Sequence, residues 1–471
     1  MATAKILPEH IAPEQQVIHP ALDWRDNTLL MGLKLDNGKR GVLTSAGDIV
    51  LEEELPWPSC DRGRHFDRSP VTTNVAQRFQ AGYGTATDTQ NPYALVNVPG
   101  LLSAYYRRFV VFAETWWPDV LALWTLGTYL YPIFSAYPYL RISSPEPGCG
   151  KSLLGEIIAH LTFNGELMAS PTEANIFRMA DSERGTQVWD EVENQSEADR
   201  GRLQAMKSAL LNGYRTGGNV PRQERIRRGQ FGTVRFHVYV PRVLIGLSDL
   251  PPVVQQRTIE LSLHRRSTEE KAERYLPDER AKEEQALREM CVLYALTYCR
   301  SVSEQYRRPD LAERLERHIG QAGRLPNDLL LPLVAVCAGA ITDQSSKEAV
   351  MPLLNTLFLH AAPNLSRGWN EGATTTPPWL PAALKVLEDS PRVTPVDLAQ
   401  RVSADVGMVI SEEQLSRGLK RYGISSTRSN GARQFRLTEA QITKIRARYG
   451  ITRPDDDEPE AILLPEGHQG H

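Results

Sequence analysis

The stretch Ser143-Ser144-Pro145-Glu146-Pro147-Gly148-Cys149-Gly150-Lys151-Ser152 constrains this chain more than any other. Before it lies a short apolar run, Tyr139-Leu140-Arg141-Ile142, with the length of a strand. After it, Leu153 to Leu161 has the apolar spacing of a helix. Strand, tight loop and helix is the setting that a phosphate-binding loop requires. Pro147, Gly148, Cys149 and Gly150 form the candidate nucleotide-binding loop, whose glycines would let backbone amides turn toward the phosphates. Lys151 would reach the β- and γ-phosphates, and Ser152 would offer its hydroxyl to Mg²⁺. The nucleotide, ATP or GTP, would then sit at a helix N-terminus, where the macrodipole favours its charge. Pro145 stands where the motif G-x-x-x-x-G-K-[ST] has its first glycine, a position that supplies neither the lysine nor the hydroxyl. The plainer alternative, a Gly/Pro turn ahead of a surface lysine, leaves the flanking strand and helix unexplained.

A chain of 471 residues predicts roughly two to four domains with a sizeable core. Hydrophobic residues at 41% and charged residues at 24% are ordinary for a globular chain, and a net charge of -3 argues against a wholly basic coat protein for nucleic acid. Cys60, Cys149, Cys291, Cys299 and Cys337 are scattered without a C-x-x-C pair, which argues against a zinc site or a disulfide framework and points to the cytoplasm. The N-terminus lacks the apolar core of a signal peptide. Val120 to Phe134, interrupted by Gly127 and Pro132, is too short for a membrane span and reads as a buried helix.

Residues 1–90 read as a small β-rich module, with a hairpin turning at Asp36-Asn37-Gly38-Lys39 and a structural or protein-contact role. Residues 91–137 form a helical collar of two helices about Trp116-Trp117-Pro118, whose aromatics belong to the core. Downstream of the loop, Thr172 caps a predicted helix, and Thr186-Gln187-Val188-Trp189 is an apolar strand ending in Asp190-Glu191. In a nucleoside triphosphatase a strand end of this kind lies beside the phosphate loop: Asp190 would hold Mg²⁺ and Glu191 would polarise the attacking water. An isolated Asp-Glu pair is more often a solvated strand end. Between Arg215 and Arg242 stand seven arginines and one acid, Glu224. The alternation of Val234, Phe236, Val238 and Val240 makes this a predicted β-hairpin with an arginine-rich tip. Arg222, Arg225, Arg227, Arg228 and Arg235 are the candidate contacts to a nucleic-acid backbone, against the alternative of a basic loop for an acidic partner. Ser248 ends the next strand, placed to sense a γ-phosphate or water. Arg257 precedes the last strand at a corner from which it could reach a neighbouring subunit's nucleotide.

Taken together, residues 140–266 resemble a family of P-loop ATPases from phages, plasmids and actinobacterial mobile elements, often associated with primases. The resemblance is carried by Leu140 to Glu146 with Gly150-Lys151-Ser152, Phe177-Arg178, Asp190-Glu191, Leu211-Asn212-Gly213-Tyr214-Arg215, and Gly246 with Leu250-Pro251 and Arg257. It implies an α/β fold with a P-loop NTPase, AAA+-like core similar to superfamily 3 helicases, and hexameric assembly. It also implies nucleotide-motif roles for Lys151, Ser152, Asp190 and Glu191, a sensor role for Ser248, and a trans-acting finger at Arg257.

Residues 267–362 suit a helical lid, 363–378 a linker, and 379–452 a winged helix; the tail 453–471 is acidic, with the composition of a disordered segment. Residues 411–450 carry nine Lys or Arg against three acids. A helix with Arg417, Lys420 and Arg421 would lie in a duplex groove while Arg428 and Arg433 on the wing grip phosphates, the alternative being a winged helix for protein contacts. The expectation is an ATP-hydrolysing DNA helicase or translocase of a mobile element: a ring around single-stranded DNA, active in replication, with a possible separate primase partner. The alternatives are a nucleotide-switched origin-binding or regulatory protein, and an ATPase acting on a protein partner in phage defence.

Overall fold

Between residues 139 and 262 short apolar runs alternate with amphipathic segments, and in the computed structural model they build a five-stranded parallel sheet with helices packed on it. The structure describes residues 18–54, 69–82, 91, 94–144, 146–169, 171–190, 200–227, 230–246, 252–319, 325–365, 379–390, 392–421, 424, 426–429 and 432–449. Contacts divide the chain into two units, residues 1–313 with 324–365 and residues 314–323 with 366–471.

The first unit opens with an antiparallel meander of β1 (Leu22–Arg25), β2 (Thr28–Lys34), β3 (Arg40–Thr44) and β4 (Ile49–Leu51). The hairpin expected at 36–39 joins β2 to β3, with Gly38 at φ +79°. Helices α1 (Thr73–Gln80), α2 (Val98–Phe109) and α3 (Trp117–Gly127) follow. Their aromatics are core, as expected, and the polar ends are satisfied: Trp124 donates to the Pro138 carbonyl at 2.9 Å and Tyr129 to that of Leu161 at 2.8 Å.

The parallel sheet is built from β5 (Tyr139–Ser143), α4 (Lys151–Leu161), β6 (Glu166–Met168), α5 (Glu173–Glu183), β7 (Gln187–Trp189), α6 (Arg200–Asn212), the antiparallel pair β8 (Asn219–Arg227) and β9 (Gln230–His237), β10 (Arg242–Ile245), α7 (Pro252–Gln255) and β11 (Thr258–Ser262). Its strand order is β11-β5-β10-β7-β6, with β8 and β9 forming a separate two-stranded ribbon. Leu140, Ile142, Val188, Trp189 and Val243 to Ile245 are fully buried, the continuous apolar runs that a sheet covered on both faces demands. Thr172 caps α5 through a bond from the Asn175 amide, as the sequence predicts. Helices α8 (Pro277–Tyr306), α9 (Pro309–Ile319), α10 (Leu331–Ala338) and α11 (Gln344–Asn355) come next. The long α8 packs on α2, α4 and α10. Among the described residues no helix is long and apolar enough to cross a membrane.

The second unit contains α12 (Trp379–Asp389), α13 (Pro395–Val406), α14 (Glu412–Arg421), the hairpin β12 (Thr427–Ser429) and β13 (Ala432–Gln434), and α15 (Glu439–Tyr449). Leu380, Leu384, Leu398, Val402, Leu415, Leu419 and Phe435 form its core. The apolar pattern places helices near residues 380–388, 395–403 and 412–422 ahead of a hairpin; α12, α13, α14 and the β12–β13 pair lie there, and α15 is an addition. The turn that the sequence suggests at Ser429-Asn430-Gly431 has its last two residues outside the described ones.

Candidate functional site

Strand β5 ends at Ser143, and the chain reaches α4 through a loop shaped by two glycines. Gly148 and Gly150 have φ of +78° and +88°, and a Cβ on either would meet nothing within 4 Å. Conformation rather than crowding demands glycine here, since left-handed backbone costs other residues about 1–2 kcal/mol. Gly150 caps α4, its carbonyl accepting from the Leu154 amide at 2.9 Å, so the first amides of the helix lack intrahelical acceptors at the positive end of its dipole. Lys151 Nζ donates to Ser144 Oγ, which donates to the Glu146 carbonyl at 2.6 Å. Cys149 Sγ donates to that same carbonyl at 3.2 Å. The ammonium thus lies over its own loop on a hydroxyl that an anion oxygen can replace. Ser152 is exposed in the first turn. Gly155 holds α4 close to the sheet, where a Cβ would come within 2.3 Å of Ile245 Cδ1.

Asp190 follows the last residue of β7 and is nearly buried, its amide bonded to the Met168 carbonyl at 3.0 Å. Trp189 is level with Leu244 of β10, and Leu244 with Arg141 of β5. Asp190 therefore stands at the same carboxyl edge as the glycine loop, two strand spacings or about 10 Å across. In open α/β sheets that crevice, where the strand order reverses beside β5, is where ligands bind. Among the described residues no group of three or more His, Cys, Asp or Glu could cage a metal. The residues present fit Mg²⁺, which needs only one or two protein oxygens and takes the rest from phosphates and water. Glu191, Ser248 and Arg228 lie outside the described residues.

Arg257 sits at the opposite edge. Its carbonyl accepts from the amide of Tyr139, the first residue of β5, so the length of that strand, about 13 Å, separates it from the glycine loop. Its guanidinium donates to the carbonyls of Leu210 and Leu211 at 3.0 and 2.6 Å, at the C-terminus of α6, and lies 5.2 Å from the Tyr214 ring centre. Arg242 is at the same edge and fully buried, donating to Gln187 Oε1 at 3.1 Å and the Val238 carbonyl at 2.9 Å, between the rings of Tyr139 and Trp189. Burial pulls its pKa below the usual arginine range, with Tyr139 and Tyr131 rather than a carboxylate as its electrostatic neighbours.

The ribbon β8–β9 sorts the arginines that look alike in sequence. Its inner face buries Val220 and Phe236; there Arg222 lies 4.7 Å from the Phe177 ring centre, and Glu224 accepts from Arg178 at 2.8 Å. Arg215 pairs with Asp328 at 2.8 Å, before the ribbon begins. Arg235 is exposed on the outer face. Arg225 and Arg227 flank a register shift near the tip, and only their backbone is described. In the second unit Arg417 and Lys420 are exposed on α14, on the side away from buried Leu415 and Leu419, and Arg433 is exposed on β13. The side chains of Arg421 and Arg428 lie outside the described residues. Arg446, part of the basic count, is instead bound through two nitrogens to Glu388 at 3.2 and 2.7 Å.

No family model and no curated protein matches the chain. Among solved structures it is similar to the apo, A form structure of the NrS-1 C-terminal region, with TM-score 0.34 and 11% identity over 87% of this chain and 96% of that one. A second structure of that region gives 0.31 and 10% over the same shares. Likeness this slight assigns no activity.

Two features escaped the sequence reading. Phe231, at the ribbon tip, is 72% exposed; its place in the strand alternation, out of phase with Phe236, was the available signal. The second is a buried carboxylate behind α4. Glu284 of α8 accepts from Tyr105 at 2.9 Å and Tyr275 at 2.7 Å, and lies 3.2 Å from His160 Nδ1. The hydrogen bond with Glu284 raises the His160 pKa. Burial alone would raise that of Glu284, but the bonds from His160, Tyr275 and Tyr105 outweigh it and hold the carboxyl below its ordinary range. Residues scattered from 105 to 284 leave no spacing pattern to read.

Proposed function

We propose that this chain is an ATP-hydrolysing motor that moves single-stranded DNA, a helicase or translocase working as a ring in the replication of a phage, plasmid or other mobile element. The observation that carries the reading is the joint placement of the glycine loop, Lys151 and Asp190 at the carboxyl edge of the sheet, with the arginine ribbon and Arg257 entering at the other edge. Amides of Gly148 to Ser152 and the Lys151 ammonium would hold the phosphates of ATP, with Pro147 shaping the loop ahead of them. Ser152 and Asp190 would hold Mg²⁺, which when bound neutralises charge on the phosphate oxygens. Glu191 would orient the attacking water. Arg257 is a strand's length from its own loop, so the only nucleotide it could serve is a neighbouring subunit's. The exposed cations of α14 and β13 support a winged-helix role for the second unit on duplex DNA, which also favours the alternative of a nucleotide-switched DNA-binding protein.

The test is ATP turnover by the purified protein with and without single-stranded DNA, beside Lys151→Ala. Stimulation by DNA that disappears in the variant is the expected result. Turnover indifferent to nucleic acid would sink the motor and favour an ATPase acting on a protein. Tight duplex binding without turnover would favour the switch.

A further inference from the structure

The two faces of the ribbon differ in what they ask of a partner. Register places Val220 opposite Phe236, Arg222 opposite Val234 and Glu224 opposite Gly232 on the inner face, where α5 supplies Phe177 to Arg222 and Arg178 to Glu224. Between them, Pro221 opposite Arg235 and Gln223 opposite Thr233 belong to the outer face, as does Phe231, whose register partner is Arg225. Pro221, Gln223, Thr233, Arg235 and Phe231 are all exposed there.

A single exposed aliphatic side chain on a protein surface needs no explanation. Phe231 differs, being 72% exposed and the only large aromatic among the exposed hydrophobic side chains described. It is set in a strip whose one acid, Glu224, is engaged on the other face. From Asn219 to His237 five arginines face that single glutamate in number. The register shift between Arg225 and Arg227 falls beside Phe231, and irregularities of this kind sharpen local twist and re-aim a side chain.

We infer that Phe231 is a stacking platform for an unpaired base, with Arg235 on the same face holding an adjoining phosphate, so that the ribbon takes single-stranded nucleic acid and not duplex. The inference rests on the motor reading above and specifies its partner. A flat ring can meet the π face of a base only where the strand is unpaired, because in a duplex those faces are covered by neighbouring base pairs. Cations alone would grip either form. The ring adds the discrimination.

Binding of the full-length protein to fluorescein-labelled oligothymidylate, and to a duplex of equal length, measured by anisotropy across a salt series, tests this. Phe231→Ala is expected to weaken single-strand binding about ten-fold or more, while the slope of log affinity against log salt stays as in wild type, because no phosphate contact is lost. Phe231→Trp should keep the affinity, and Phe231→Leu should behave as the alanine variant does. Arg235→Gln should lower the salt slope by about one. A leucine variant that binds like wild type, or an alanine variant that does, overturns the stacking role while leaving the motor reading intact. Wild-type protein that ignores oligothymidylate, or binds only duplex, overturns the inference; if its ATP turnover is also blind to single strands, the motor reading falls with it.

Discussion

His160 lies in the last turn of the helix that Lys151 begins, and its partner Glu284 ties that helix to α8. A histidine whose folded pKa is raised stabilises fully below its unfolded value of about 6.5, and the effect fades as pH climbs through the folded value. Glu284, with its pKa lowered, contributes fully above about 4.5 and loses that contribution as pH falls through its folded value. The cluster therefore stabilises most between about pH 4.5 and 6.5. Tm should fall between pH 6.5 and 8 more steeply in wild type than in His160→Gln. Equal slopes would show that His160 does not titrate against Glu284. At this scale the sequence was partly legible. Lys151, Ser152, Gly148 and Gly150 announce themselves because their roles depend on neighbours a few residues away. Arg215, Arg222 and Arg242 are indistinguishable in sequence, since Asp328, Phe177 and Gln187, which decide their fates, are brought to them only by folding.

Arg242 is one of the side chains that hold the β8–β9 ribbon at its base, beside Asp181, which accepts from the His237 amide at 2.9 Å. Arg242 bonds the first residue of β7 through Gln187 and the segment after β9 through the Val238 carbonyl. It thus fastens the ribbon to the strand that leads to Asp190. Arg242→Met would keep much of the volume but abandon Gln187 Oε1 and the Val238 carbonyl. A buried acceptor left without its donor costs about 1–3 kcal/mol, so the variant should lose roughly 2–5 kcal/mol in denaturant unfolding. A loss below about 1 kcal/mol would mean the bonds are replaced by water or rearranged backbone. Strand and helix periodicity foretold most of these elements. It did not foretell α15, in which Ile442 is the one buried apolar side chain among the described residues, a faint apolar stripe, nor that the ribbon carries its arginines on two faces.

At the scale of the whole sheet, the glycine loop, Lys151 and Asp190 lie at one edge and Arg242 and Arg257 at the other. A subunit built in this way cannot bring Arg257 to its own glycine loop, so hydrolysis that depends on both requires a neighbour in a head-to-tail ring. Lys151→Ala and Arg257→Gln should each abolish turnover alone, and mixing the two should restore part of it, because some interfaces then join an intact loop to an intact arginine. Mixtures that stay inactive would rule out Arg257 acting across an interface. By itself the sequence determined the strand-loop-helix about Lys151, the parallel sheet around it and the helical cores of both units, because these follow from local periodicity and turn chemistry. Only the tertiary structure decided which arginines face solvent, that Phe231 stands exposed at the ribbon tip, and that Arg257 and Lys151 lie at opposite edges. Those outcomes depend on strand order and register, which bring together residues far apart in the chain.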